Sequence, residues 1–159
     1  MTFAVQGCSQ DTSSNPINIT ELEGNWESAC LVGFSSAPIS KLIRTYNGDN
    51  LSFTYNTYTD TNCTNLESSI DANLNPNLSG PDGLPTKFLI GNQIISANGV
   101  TVKEIDYITK NNIVEKSIYL LQNNATTMYL ALPCTISPAT CIDDRPTEIS
   151  YLNKYTKIN

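Results

Sequence analysis

From Ile39 onward, apolar and polar residues alternate with a period of two along most of the chain. I-S-K-L-I-R-T-Y (39–46) runs into N-G-D-N and then into L-S-F-T-Y-N-T-Y. Such alternation marks strands buried on one face, and Asn47-Gly48 is a strong hairpin signal because both residues accept positive φ. A second such turn stands at Asn98-Gly99. The polar breaks K-N-N at 110–112 and Q-N-N-A at 122–125 separate the apolar runs I-V-E-K-S-I-Y-L-L and T-M-Y-L-A-L-P, and they also read as hairpins.

The pattern predicts strands over 25–33, 39–46, 50–59, 65–71, 86–91, 93–109 with a break at Asn98-Gly99, 112–121 and 127–133. A last extended piece follows near 148–156. A short turn capped near Thr20 and closed by Gly24 precedes the first strand. The Pro- and Gly-bearing stretch 71–85 reads as a long connection. Short consecutive strands joined by tight turns pair in order. The expected fold is therefore all-β, an antiparallel up-and-down meander closed into an eight-stranded β-barrel, with a β-sandwich as the alternative. One barrel domain is expected over 17–159, after a disordered tether over 1–16.

Alternation also nominates inward rows. Leu51, Phe53 and Tyr55 form one, Ile118 and Leu120 a second, and Met128, Leu130 and Leu132 a third, since the intervening positions carry Ser52, Thr54, Lys116 and Thr127. Phe53, Tyr55, Ile118, Leu120, Met128 and Leu130 are the candidate ligand-binding residues. An eight-stranded barrel is just wide enough to be filled by such side chains or to hold one small ligand.

Charge narrows the options for a partner. The chain has 9 Lys and Arg against 15 Asp and Glu, a net charge of −6, and its cations are scattered; neutralising phosphates requires clustered cations, so nucleic acid is excluded. No apolar run approaches the roughly 20 residues of a membrane-spanning helix. Histidine is absent, which removes the usual general base and the commonest metal ligand. The acid pairs Glu104 with Asp106 and Asp143 with Asp144 give no sign of converging across a cleft. The expectation is a non-enzymatic protein with no cofactor and no metal.

There are 5 cysteines. Cys30, Cys63, Cys134 and Cys141 are spaced too widely for C-x-x-C metal or redox pairs. They allow three disulfide connectivities; the expected one joins Cys30 to Cys63 and Cys134 to Cys141, because each pair flanks neighbouring extended segments. Cys8 is left over. V-Q-G-C (5–8) resembles the end of a bacterial lipoprotein signal, and the polar S-Q-D-T-S-S-N-P after it suits a tether. That resemblance implies acylation at Cys8, membrane attachment through an N-terminal acyl anchor, and, with Ser9 next, an outer-membrane protein facing the periplasm or the surface.

Gly24-x-Trp26 at the head of the first strand resembles the G-x-W signature of lipocalins, meander barrels that hold small apolar ligands. The resemblance implies that Trp26 closes the barrel floor and that an Arg from after the last barrel strand covers it. Arg145, in C-I-D-D-R-P-T-E, is the residue that matches. It further implies a small apolar or amphipathic ligand such as a lipid, and a helix beside the barrel for which 146–159 offers no candidate. The competing expectation is a packed barrel that serves as an interaction module of the cell envelope.

Overall fold

A computed structural model of the chain describes residues 20–32, 38–75 and 82–159. Cys8 and the expected tether lie outside them. The strands are β1 (Gly24–Ser28), β2 (Ile39–Asn47), β3 (Asn50–Tyr58), β4 (Leu66–Asp71), β5 (Pro85–Ile95), β6 (Thr101–Thr109), β7 (Val114–Gln122), β8 (Thr127–Leu130), β9 (Cys141–Ile142), β10 (Arg145–Pro146) and β11 (Lys154–Ile158). Eight of them close an antiparallel barrel in the order β1-β2-β3-β5-β6-β7-β8-β11, and β11 returns to β1. The meander is as the alternation predicts.

Two strands exchange the places expected of them. β4 pairs only along the second half of β3, from Thr54 to Tyr58, while β5 reaches the start of β3 through Asn50↔Lys87. The ring is completed instead by the last strand, the piece expected merely to be extended. The segments expected at 86–91 and 93–109 regroup as well, with 85–95 forming one strand whose register shifts between Ile90 and Gln93. Gly91 sits in that irregularity, where an added Cβ would lie 2.9 Å from Glu104 Cβ, and the backbone N–H of Asn92 donates to Glu104 Oε2. Such a bulge lets Phe88, Ile90 and Gln93 keep facing the same side.

The first hairpin forms one residue later than its signal. Asn47 pairs with Asn50, so Gly48 and Asp49 are the central residues, and Gly48 alone of that pair has positive φ, at 62°. This is the geometry of a turn with Gly at its first central position.

Two apolar layers result. The inner one fills the barrel with Leu22, Trp26, Tyr46, Leu51, Phe53, Phe88, Ile105, Tyr107, Tyr119, Met128, Leu130 and Tyr155. The outer one, on the far face of β6, β7 and β8, gathers Val102, Ile118, Leu120, Ala131 and Ile149. Here the expectation for β7 is corrected. Its inward row is Ser117, Tyr119 and Leu121, set by Ile105↔Ser117 and Lys103↔Tyr119, whereas Ile118 pairs with Glu104 on the outside. The segment between β8 and β11 covers Ile118 and Leu120 from without. Both faces of β7 are thereby buried, and alternation cannot tell which is the core. Leu132, taken as inward, is 37% exposed.

Among the described residues no helix lies beside the barrel. Its place is taken by that 131–153 segment, a short 3-10 turn (Pro138–Thr140) with the β9–β10 ribbon, tied by the Cys134–Cys141 disulfide. The second bridge, Cys30–Cys63, joins the chain after β1 to the β3–β4 connection. Both bridges are the expected ones. With sequence separations of 33 and 7, chain entropy assigns them about 4 and about 2.5 kcal/mol.

Candidate functional site

One end of the barrel is plugged. Leu22, Trp26 and Tyr46 are fully buried there, and the Trp26 indole N–H donates to the Leu22 carbonyl at 2.6 Å. Gly24 has φ 108°, and a Cβ on it would crowd the Lys157 side chain at 3.3 Å; the Gly of the G-x-W stretch therefore has a backbone and a packing reason. The cation over the indole is Lys157, whose Nζ stands 5.3 Å from the ring centroid. Arg145, expected in that place, is elsewhere. Beside the plug, Glu21 accepts from Lys103 Nζ at 2.6 Å and from the Tyr119 hydroxyl. Burial raises the Glu21 pKa, but those two donors outweigh it and hold the carboxyl below its ordinary value.

The other end is open. A cavity of about 160 Å³ sits in its mouth, lined by Leu42, Arg44, Phe53, Leu84, Pro85, Tyr107, Glu115, Ser117, Leu130, Ala131, Pro133 and Asn153. Leu84, Pro85, Glu115 and Pro133 also line a cleft of about 640 Å³ running outward between the chain before β5, the β6–β7 hairpin and Cys134. Below the cavity the barrel is filled by rings, among them Tyr46 edge-on to Phe88 at 4.9 Å.

Arg44 lines this cavity. It pairs with Phe53 across β2 and β3 and with Trp26 across β1 and β2, in an inward row that also holds Leu42 and Tyr46. Its guanidinium carbon lies 5.0 Å from the Tyr155 ring, 5.2 Å from Phe53 and 5.6 Å from Tyr107. Among the described residues no carboxylate comes within ion-pair distance of it, although Lys41, Lys87, Lys103 and Arg145 each have one. The side chain keeps some accessible surface because it faces the cavity, yet its Nε is closed to solvent and has no hydrogen-bond partner.

Burying a guanidinium without a counter-charge costs several kcal/mol, and three aromatic faces return roughly 0.5 to 2 kcal/mol each. Burial alone would lower the Arg44 pKa; the oxygens of Tyr155, Tyr107 and Tyr46 outweigh it, and the group stays charged. Tyr46 and Tyr107, whose hydroxyls are 3.1 Å apart, are driven the other way. Burial raises the pKa of both above the ordinary phenol value.

Of the six residues nominated as ligand-binding, Phe53 and Leu130 line the cavity. Met128 lies in the filled core and Tyr55 packs against it, while Ile118 and Leu120 belong to the outer layer. Arg44 was missed by the sequence reading. Its signal was its place in the row Leu42-Arg44-Tyr46, a cation between apolar inward positions.

Arg145 sits on the outer face of β6 and β7. Its Nε is 3.2 Å from Glu104 Oε1, its Nη2 reaches Asp106 Oδ1, and its Nη1 donates to the Ser117 carbonyl at 2.7 Å. The acid pair Glu104 and Asp106, for which the sequence gives no sign of convergence, meets on this arginine. Among the described residues no group of three or more His, Cys, Asp or Glu could hold a metal ion.

No protein-family model, curated protein or solved structure matches the chain.

Proposed function

We propose that this protein is a non-enzymatic lipoprotein of the bacterial cell envelope whose lipocalin-like barrel binds a small amphipathic ligand at its open end. The observation that carries the reading is the cavity of about 160 Å³ that shares Leu84, Pro85, Glu115 and Pro133 with a cleft of about 640 Å³. Together they offer a mainly apolar lining with a few polar groups, among them Arg44 in the inner cavity, the usual make-up of a small-molecule site. The ring-filled core below leaves no deep cup, so a ligand enters head first and leaves its body between Leu42, Leu84, Pro85 and Pro133. Acylation at Cys8 would attach the protein to the outer membrane, facing the periplasm or the surface. That part of the reading is supported by V-Q-G-C and the polar residues after it.

The filled core favours a second reading, an interaction module with no ligand. Native mass spectrometry of protein purified from its own host separates the two. The binding reading expects a co-purifying amphiphile and a raised melting temperature with some member of an amphiphile panel, since ligands that bind only the folded state stabilise it. No bound mass and no shift would favour the module. Cys8→Ser in the precursor tests attachment. Unchanged recovery in the envelope's lipid fraction would remove the acylation.

A further inference from the structure

We infer that the ligand taken at the open end is a monocarboxylate amphiphile whose head is neutralised by Arg44. The inference rests on the binding reading and names the chemistry it leaves open. A guanidinium inside an apolar barrel needs a counter-charge, and no carboxylate of the described residues supplies one. The residue lines the cavity and keeps part of its surface accessible there, although its Nε is closed to solvent. An anion arriving through the mouth would therefore supply the counter-charge at the part of the guanidinium that faces the cavity. A carboxylate matches a guanidinium edge geometrically and forms charge-assisted bonds about twice as strong as neutral ones.

The walls set the remainder of the ligand. Leu42, Phe53, Leu84 and Leu130 line the cavity beside Arg44, and the Glu115 carboxylate stands where the cavity and the cleft share their lining, so the ligand behind its head must be apolar; a small hydrated anion would lose its water without those apolar contacts in return. The outer cleft restricts the charge count. Asp82, Glu115 and Asp144 line it against Lys116, and the Lys116 ammonium already donates to the Asp143 carbonyl at 3.1 Å. A second carboxylate at the far end of the ligand would meet three like charges there, which the site disfavours.

Calorimetric titration of the full chain with decanoate, decanol and decanedioate tests this. Decanoate is expected to bind, with decanol and decanedioate each about tenfold weaker or more. Decanol binding as tightly as decanoate would overturn the role of Arg44 while leaving the site standing. Decanedioate binding as tightly would overturn the monoanion restriction. If none of the three binds, the binding reading falls and this inference falls with it. Arg44→Met, checked for its fold by circular dichroism, should lose the preference for decanoate over decanol. A preference that persists in that variant would also overturn the inference.

Discussion

The two arginines that touch the barrel wall have opposite surroundings. Arg145, outside β6 and β7, is held by two carboxylates and a carbonyl. Arg44, inside β2, is ringed by Phe53, Tyr107 and Tyr155 with no carboxylate among the described residues. The first has all the counter-charge it needs and fastens the 131–153 segment to the sheet. The second lines a cavity. A cation whose counter-charges are all present contributes to folding; one with tyrosines but no carboxylate among the described residues, in the wall of a cavity, is placed for binding.

That contrast breaks most readily at Arg145. Arg145→Met should lower stability by about 2 kcal/mol in urea denaturation, because it leaves Glu104 and Asp106 half-buried with no cation. Decanoate affinity should not change. A fall in affinity equal to that of an Arg44 variant would erase the distinction between the two arginines.

Alkali should act on the inner group next. Tyr46 and Tyr107 have folded pKa values raised by burial, so stability is fully present below the unfolded phenol value near 10 and is lost as pH rises through the folded values. Each of the two is expected to remove up to roughly 1.4 kcal/mol per pH unit above that point. Tyrosinate absorbance followed alongside circular dichroism checks it: these two tyrosines should ionise only as the fold is lost. Ionisation of every tyrosine in the folded protein would contradict their burial.

The smallest change in stability is expected at Arg44 itself. Arg44→Met exchanges a buried, unneutralised charge for a side chain of similar length, a replacement that is commonly neutral or stabilising. The expected change is within about 1 kcal/mol of the parent, in either direction, by thermal or urea unfolding. A loss greater than that of Arg145→Met would make Arg44 a structural residue.

The meander, both disulfides and the inward row Leu51-Phe53-Tyr55 were legible in the chain, because each follows from local alternation, tight turns or the adjacency of strands. The inner face of β7 was not. The 131–153 segment makes Ile118 and Leu120 as buried as Tyr119, and only tertiary packing decides which row is the core. Arg145 could be read as the partner of Trp26 only through a resemblance. The cation that reaches the indole is Lys157, brought opposite Trp26 by the β1–β11 register, and that pairing links residues near opposite ends of the described chain. Arg44 was visible as a misfit in an apolar row. What made it a candidate was the absence of an ion-pairing carboxylate among the described residues, which no sequence pattern reports.

The most direct measurement is an NMR titration of decanoate carrying a 13C-labelled carboxyl group, bound to the full chain. Beside a charged guanidinium the head should stay ionised well below the range in which the free acid protonates, and Arg44→Met should abolish that displacement. A bound carboxyl that titrates like the free acid, or one whose titration is the same in the variant, would contradict the assignment of Arg44 as its counter-charge.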